Sequence, residues 1–190
     1  GNLIEADTIK SVAECDVVFG CMDGVEGRHW LNRLATFYTM PYFDIGVRLD
    51  ADGLGGIKQI TGAAHYLQPG KSSLLSRGVY EMSRVDAEAM LRTDPEMYHR
   101  QLKEGYLRGV VEDRPAVISI NMLFGAVMVN DFLARLHPYR NQPNRDYAYI
   151  GCNLGEMQFF PEREGDNCDL LERHVGRGDV TPLLDRPILS

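Results

Sequence analysis

Residues 16–47, DVVFGCMDGVEGRHWLNRLATFYTMPYFDIGV, decide how this chain is to be read. They form a βαβ pattern. DVVFGC is short, apolar and rich in Val and Phe, as a strand buried on both faces should be. From Arg28 to Tyr38, the residues Trp30, Leu31, Leu34, Phe37 and Tyr38 recur at three- and four-residue spacing, which predicts a helix with one apolar side. Pro41 ends that helix and PYFDIGV opens a second strand. The first strand ends at Cys21, and Asp23 follows it. A carboxylate just past the carboxyl end of a parallel strand stands where open α/β sheets bind ligands. Two readings of Asp23 are compatible with its spacing. It caps the next helix, with Glu26 completing a capping box, or it faces a nucleotide and its Mg²⁺ at the sheet mouth.

Outward from this unit the pattern is less regular. Residues 1–14 predict a short strand or turn and then a helix with Ile9, Val12 and Ala13 inward, the tail of an earlier α/β step. Residues 48–56 read as a Gly- and Asp-rich loop, 57–70 as one or two antiparallel strands closed at Pro69-Gly70, and 71–80 as a crossing loop. Helices are predicted over 86–92 and 94–108, the second capped by Asp94 with Pro95 in its first turn and Met97, Leu102, Tyr106 and Leu107 inward. Pro115 opens the most apolar stretch, which continues to Leu136. Ser119, Asn121, Asn130 and Asp131 interrupt it, so it reads as a buried core or dimer-interface helix and not as a membrane span. Residues 147–160 predict two strands joined near Asn153–Gly155. The last thirty residues, patterned only at Leu170-Leu171 and Pro182–Leu184, predict a tail packed along the body.

A chain of 190 residues, 44% apolar and 25% charged, is expected to be one α/β domain, with residues 138–190 as an irregular and β extension packed on it. A formal charge of −7 argues against nucleic acid as a partner, since phosphate binding needs a basic face. Four scattered cysteines, Cys15, Cys21, Cys152 and Cys168, suit reduced thiols and a cytoplasmic location. Gly1 in place of Met reads as the start of a processed or excised piece. Cys21 reads as a small buried strand residue before it reads as a nucleophile. His65 reads as structural, His29, His99 and His137 as surface residues, and Arg28 as a helix-surface or salt-bridge residue. A Cys168–His174 pair is not expected to be catalytic or metal-binding, and the RGD triplet 177–179 reads as a chance match.

The 16–47 segment resembles the middle of the ThiF/MoeB/HesA family, bacterial relatives of ubiquitin-activating enzymes. The family pattern runs from a strand into C-T-D-N, an Arg four residues later, an Asn, and an Ile-Pro turn into a Gly-containing strand. This chain supplies Cys21-Met22-Asp23-Gly24, Arg28, Asn32, Met40-Pro41 and Gly46. PAVISINMLFGAVMVNDFLARL is similar to the family's late small-residue helix, and a Gly55/Gly56 strand and the Pro69-Gly70 turn fall between the two in order. The resemblance covers about residues 10–137. It implies a partial Rossmann-like, ThiF-type sheet with an antiparallel β extension. The implied activity is an ATP- and Mg-dependent adenylyltransferase that activates the C-terminal carboxylate of a ubiquitin-like or sulfur-carrier protein as an acyl-adenylate. It also implies a homodimer. The family's aspartate role falls on Asp23, with Met22 and Gly24 beside it at the nucleotide.

Three departures accompany this. No Gly-rich phosphate loop occurs, and the family's version would lie before Gly1, so the isolated chain is expected to be inactive in ATP–pyrophosphate exchange. The family's first zinc Cys pair is Ser73-Leu74-Leu75-Ser76 here, so no structural zinc is expected. Gly24 stands where the family has Asn. The alternatives are the tail half of an NAD- or FAD-binding Rossmann oxidoreductase, or a non-catalytic dimerisation module.

Overall fold

The computed structural model describes residues 1–54, 56–107 and 118–178. In chain order these form α1 (Ala6–Ala13), β1 (Val18–Gly20), α2 (Val25–Phe37), β2 (Tyr42–Ala51), β3 (Ile57–Leu67), α3 (Met82–Thr93), α4 (Pro95–Lys103), α5 (Ile118–Leu136), β4 (Tyr149–Asn153) and β5 (Gln158–Glu162). Short 3-10 turns occupy Asn144–Asp146 and Glu172–His174. The strands lie in one sheet in the order β1-β2-β3-β4-β5. β1 and β2 are parallel and joined by α2, which is the βαβ unit the sequence predicts. Each later strand adds antiparallel to its neighbour, giving the expected β extension.

Side chains alternate across the sheet, so register decides which residues share a face. Asp44 pairs with His65 and His65 with Tyr149, while Gly46 pairs with Ala63 and Ala63 with Gly151. These residues line one face. The opposite face presents Phe43, Ile45, Ala64 and Cys152 to Ile120, Phe124 and Met128 of α5, closing an apolar core. A second core gathers Leu31, Ala35, Tyr42, Leu67, Leu74 and Val85 between α2, α3 and the 71–80 loop, and a third joins Ile9 to Trp30 and Leu34. α5 is long and apolar enough to cross a membrane, but its inner stripe seals the sheet. Asp131 on that stripe pairs with Arg135 at 3.1 Å and Arg140 at 2.6 Å.

Several expectations change. β1 is three residues long and Phe19 within it is 39% exposed, so the strand is not sealed on both faces. Residues 48–51 are strand and not loop: β2 runs on to Ala51 because its backbone continues to pair with β3, which outweighs a composition poor in strand formers. The true turn is held by Asp52, whose Oδ1 accepts from the Leu54 and Gly56 amides at 2.7 and 2.8 Å. α2 stops before Pro41. Thr39 takes φ 57° and the Met40 amide donates to the Ala35 carbonyl at 2.8 Å, a left-handed C-terminal turn in a residue type that rarely adopts it.

α4 has the predicted cap, with Asp94 accepting from the Met97 amide at 2.9 Å and Pro95 in its first turn. Its inward face differs, because Tyr98 is the buried residue while Met97, Leu102 and Tyr106 are 36%, 37% and 78% exposed. Met97 is one position away from the buried line, Leu102 lies in the last turn of the helix and Tyr106 beyond its end. The helix predicted to reach 108 ends at Lys103. The Pro115 start of the apolar stretch, Gly55 of the Gly55/Gly56 strand, Asp179 of the RGD triplet and Pro182–Leu184 lie outside the described residues.

Candidate functional site

Asp23 lies three residues beyond the carboxyl end of β1, exposed in the loop that enters α2. The capping box does not form. The N-cap of α2 is Gly24, which has no side chain to offer, and the Glu26 amide donates instead to Glu88 Oε2 of α3 at 2.9 Å. The Glu26 carboxylate is held elsewhere, by Trp30 Nε1 at 3.3 Å and Arg92 at 2.7 Å. Asp23 is thereby free of the capping role and lines a groove of about 780 Å³ across the sheet face opposite α5. That volume is in the range of small-ligand sites.

The groove floor explains the other residues of the motif. Arg28 is buried on α2, with its Nε 3.1 Å from both oxygens of Asp44 and its Nη2 hydrogen-bonded to the same carboxylate. The Tyr42 hydroxyl donates to Asp44 at 2.6 Å. Burial pushes the Asp44 carboxyl upward, and the donors from Arg28 and Tyr42 hold it back. The guanidinium lies against Gly46, where a Cβ would stand 3.2 Å from Nη2. Any side chain at 46 would therefore press on the Arg28–Asp44 pair. Asn32 is also buried, and its Oδ1 accepts from the Leu74 amide at 2.9 Å, pinning the 71–80 loop to α2. Arg28, Asn32 and Gly46 are thus engaged inside the protein, Arg28 and Gly46 as part of the groove floor, while Asp23 is exposed at its rim. Met22, 38% exposed, lies against Gly27, and neither Met22 nor Gly24 lines the groove.

Beyond Arg28 the floor continues to His65, Arg77 and Tyr149. Arg77 joins three segments: it donates to the Tyr66 and Ala148 carbonyls at 2.9 Å each and to Glu164 at 3.0 Å. His65 is buried beside it, with Nδ1 3.4 Å from Arg77 Nη1. Burial, then the charges of Arg77 and Arg28, lower its pKa to about 3, so the ring is neutral at pH 7. On the far wall the Phe160 ring covers Gly151.

His29 is not a surface residue. It is fully buried and its Nδ1 lies 3.0 Å from the Tyr80 hydroxyl, because α3 and the 71–80 loop enclose the side of α2 that its polar neighbours suggested was open. Cys21 is exposed and not buried as a strand residue would be, since β1 ends one position earlier. Desolvation of its sulfur and the Asp44 carboxylate push the thiol pKa up, opposite to what an activated thiolate needs. His174 stacks on Phe37 at 5.2 Å. Sequence reasoning missed Glu88, Arg77 and Asp44, and only Asp44 carried a signal, as a carboxylate inside an otherwise apolar strand.

Among the described residues no three His, Cys, Asp or Glu side chains gather around one point. Asp23 would thus offer a hard cation at most one further carboxylate beside its own among the described residues. That fits magnesium, which typically takes one or two carboxylates and completes its shell with phosphate oxygens and water.

No protein-family model matches the chain, and no curated protein matches it in sequence. Solved structures of E. coli MccB do match in fold. The structure with succinimide aligns at TM-score 0.53, the one with AMPCPP and selenomethionine-labelled MccA at 0.52, and the one with ATP at 0.50. Each is 15% identical and covers 87% of this chain. The chain spans about two fifths of the length of these proteins, 41% to 42%. The fold is therefore mixed α/β and Rossmann-like, as in these structures.

Proposed function

We propose that this chain is part of an ATP-dependent adenylyltransferase of the ThiF type, acting on the C-terminal carboxylate of a ubiquitin-like protein, a sulfur-carrier protein or a peptide. The observation that carries the reading is Asp23, released from capping and exposed at a groove rim just past a parallel strand, while Arg28, Asn32 and Gly46 of the same motif build the scaffold behind it. Fold likeness to MccB structures solved with ATP, AMPCPP and MccA supports it. Fold alone does not carry an activity, which is why the reading rests on the aspartate.

In this reading Asp23 holds the magnesium end of the nucleotide, and Met22 and Gly24 flank Asp23 in the chain without lining the groove. The acceptor's terminal carboxylate enters along the groove, whose rim carries Arg48, Arg84 and Arg163. Magnesium supplies charge neutralisation at the phosphates. The phosphate-cradling Gly-rich loop comes from outside residues 1–190, so these residues alone perform no exchange. Exchange of labelled pyrophosphate into ATP, measured in the natural full-length protein, is expected to fall at least about 100-fold with Asp23→Ala, the order seen when one preorganised electrostatic group is removed. The unfolding midpoint should not move. Undiminished exchange in that variant overturns the reading, as does full exchange by residues 1–190 alone.

A homodimer through α5 belongs to the same proposal. Ile118, Met122, Val129, Leu133 and Leu136 are 40% to 75% exposed on its outer side, and none of its exposed residues is charged. A surface helix ordinarily turns charge to water. Sedimentation of wild type and Val129→Lys should show a dimer dissociated by the added charge; equal masses would remove α5 from the interface.

A further inference from the structure

α2 begins without a cap of its own, and the substitute comes from 62 residues away along the chain. Glu88 Oε2 accepts from the Glu26 amide at 2.9 Å, and Glu88 Oε1 is 3.6 Å from Arg84 Nε one turn earlier on α3. One turn later on the same helix, Arg92 pairs with the Glu26 carboxylate at 2.7 Å. α3 therefore holds the first turn of α2 at two points. The glycine at 24 leaves room for this: a Cβ there would stand 3.1 Å from Glu88 Oε2, so the carboxylate would have to give by a few tenths of an ångström. An Asn or Ser at 24 would cap the helix locally and displace Glu88. With Glu88 in place one of the open amides of the first turn, that of Glu26, is satisfied from α3, and Asp23 lies one residue before the cap position.

We infer that Glu88 is a positioning residue for Asp23. By capping α2 from α3 it takes the place of a local cap at the helix terminus and leaves the Asp23 carboxylate at the groove, and Gly24 leaves room for the Glu88 carboxylate. What Asp23 does there rests on the adenylyltransferase reading, but its placement does not. A negative group at this end of α2 also complements the helix dipole, and Glu88 supplies it without using Asp23.

The test compares wild type, Glu88→Gln, Glu88→Ala and the double variant Glu88→Ala with Gly24→Asn. Amide hydrogen exchange at residues 25–28 reports the cap, and the Asp23 carboxyl carbon resonance reports its placement. Glu88→Ala should speed exchange of those amides about fivefold, the size of one lost cap, and move the Asp23 resonance. Glu88→Gln, whose amide oxygen still accepts, should keep both near wild type. Gly24→Asn in the alanine background should restore the slow exchange of the first turn. Unchanged exchange and an unchanged Asp23 resonance in Glu88→Ala overturn the inference. Pyrophosphate exchange by the natural full-length protein separates the two readings. If Asp23→Ala abolishes it and Glu88→Ala leaves it at wild type, the positioning role falls. If neither variant changes it while the resonance moves as expected, the adenylyltransferase reading falls and the placement by Glu88 stands.

Discussion

The two faces of one sheet are built on different physics. Against α5, the face is apolar: Phe43, Ile45, Ala64 and Cys152 meet Phe124 and Met128, and Asp131 pairs with Arg135 and Arg140 near one end. The groove face, formed by the alternate residues of the same strands, holds Asp44, His65 and Tyr149 with Arg28 and Arg77 laid over them. Non-directional burial holds the first face together. The second depends on each buried polar group finding its partner, and a missing partner there leaves a charge without solvent. The difference locates the site: an interior that tolerates buried charge is arranged around a groove, and the apolar face serves as its support.

The comparison can be broken on the apolar side first. Phe124→Ala removes the fully buried ring at the centre of the α5 core and should lower stability by about 4 kcal/mol in urea unfolding. On the groove side, Arg28→Ala should cost about 3 kcal/mol by leaving Asp44 buried and unpaired. Arg28→Met with Asp44→Leu should recover most of that loss, whereas no second substitution restores Phe124→Ala so simply. A double variant as unstable as the single would show that the pair contributes more than its own charge balance.

The third difference is pH dependence. His65 has a folded pKa near 3 against an ordinary 6.5, so below pH 6.5 the unfolded chain binds a proton that the folded one refuses. Stability is therefore full above pH 6.5 and declines as pH falls toward 3, by about 2 to 3 kcal/mol between pH 6.5 and 4.5. Asp44, pushed up by burial, works in the opposite sense, so the quantity to compare is the difference between wild type and His65→Gln. Parallel acid limbs in the two proteins would remove His65 from the explanation. The smallest effect belongs to the rim: Asp23→Ala should change stability by no more than about 0.5 kcal/mol, as an exposed side chain outside any cap does. A loss above 1 kcal/mol, on the order of a removed cap, would mean that Asp23 holds the terminus of α2 after all.

Two helix starts show what the sequence can and cannot reveal. Asp94-Pro95 is readable because the cap and the amide it serves, Met97, are three residues apart. The cap of α2 is unreadable because Glu88 comes from another helix, and the local candidate, Asp23 with Glu26, has the right spacing and is not used. His29 failed for a related reason: its polar neighbours suggested solvent, but Tyr80 and α3 cover that side. In α4 the expected inward residue Met97 is one position from Tyr98, the residue that does turn in, and Tyr106 lies past the helix end.

By itself the sequence determined the βαβ unit, the antiparallel strands after it, the long apolar helix, and the position of Asp23 past a strand end. These follow from two- and three-to-four-residue periodicities and from caps and turns that act within one helical turn. Tertiary structure alone decided that Arg28 would be buried on Gly46 against Asp44, that Arg77 would join three segments of chain, and that Glu88 would take over the cap and leave Asp23 exposed. Strand register and helix packing bring those groups together, and a pattern read four residues at a time has no access to partners separated by dozens.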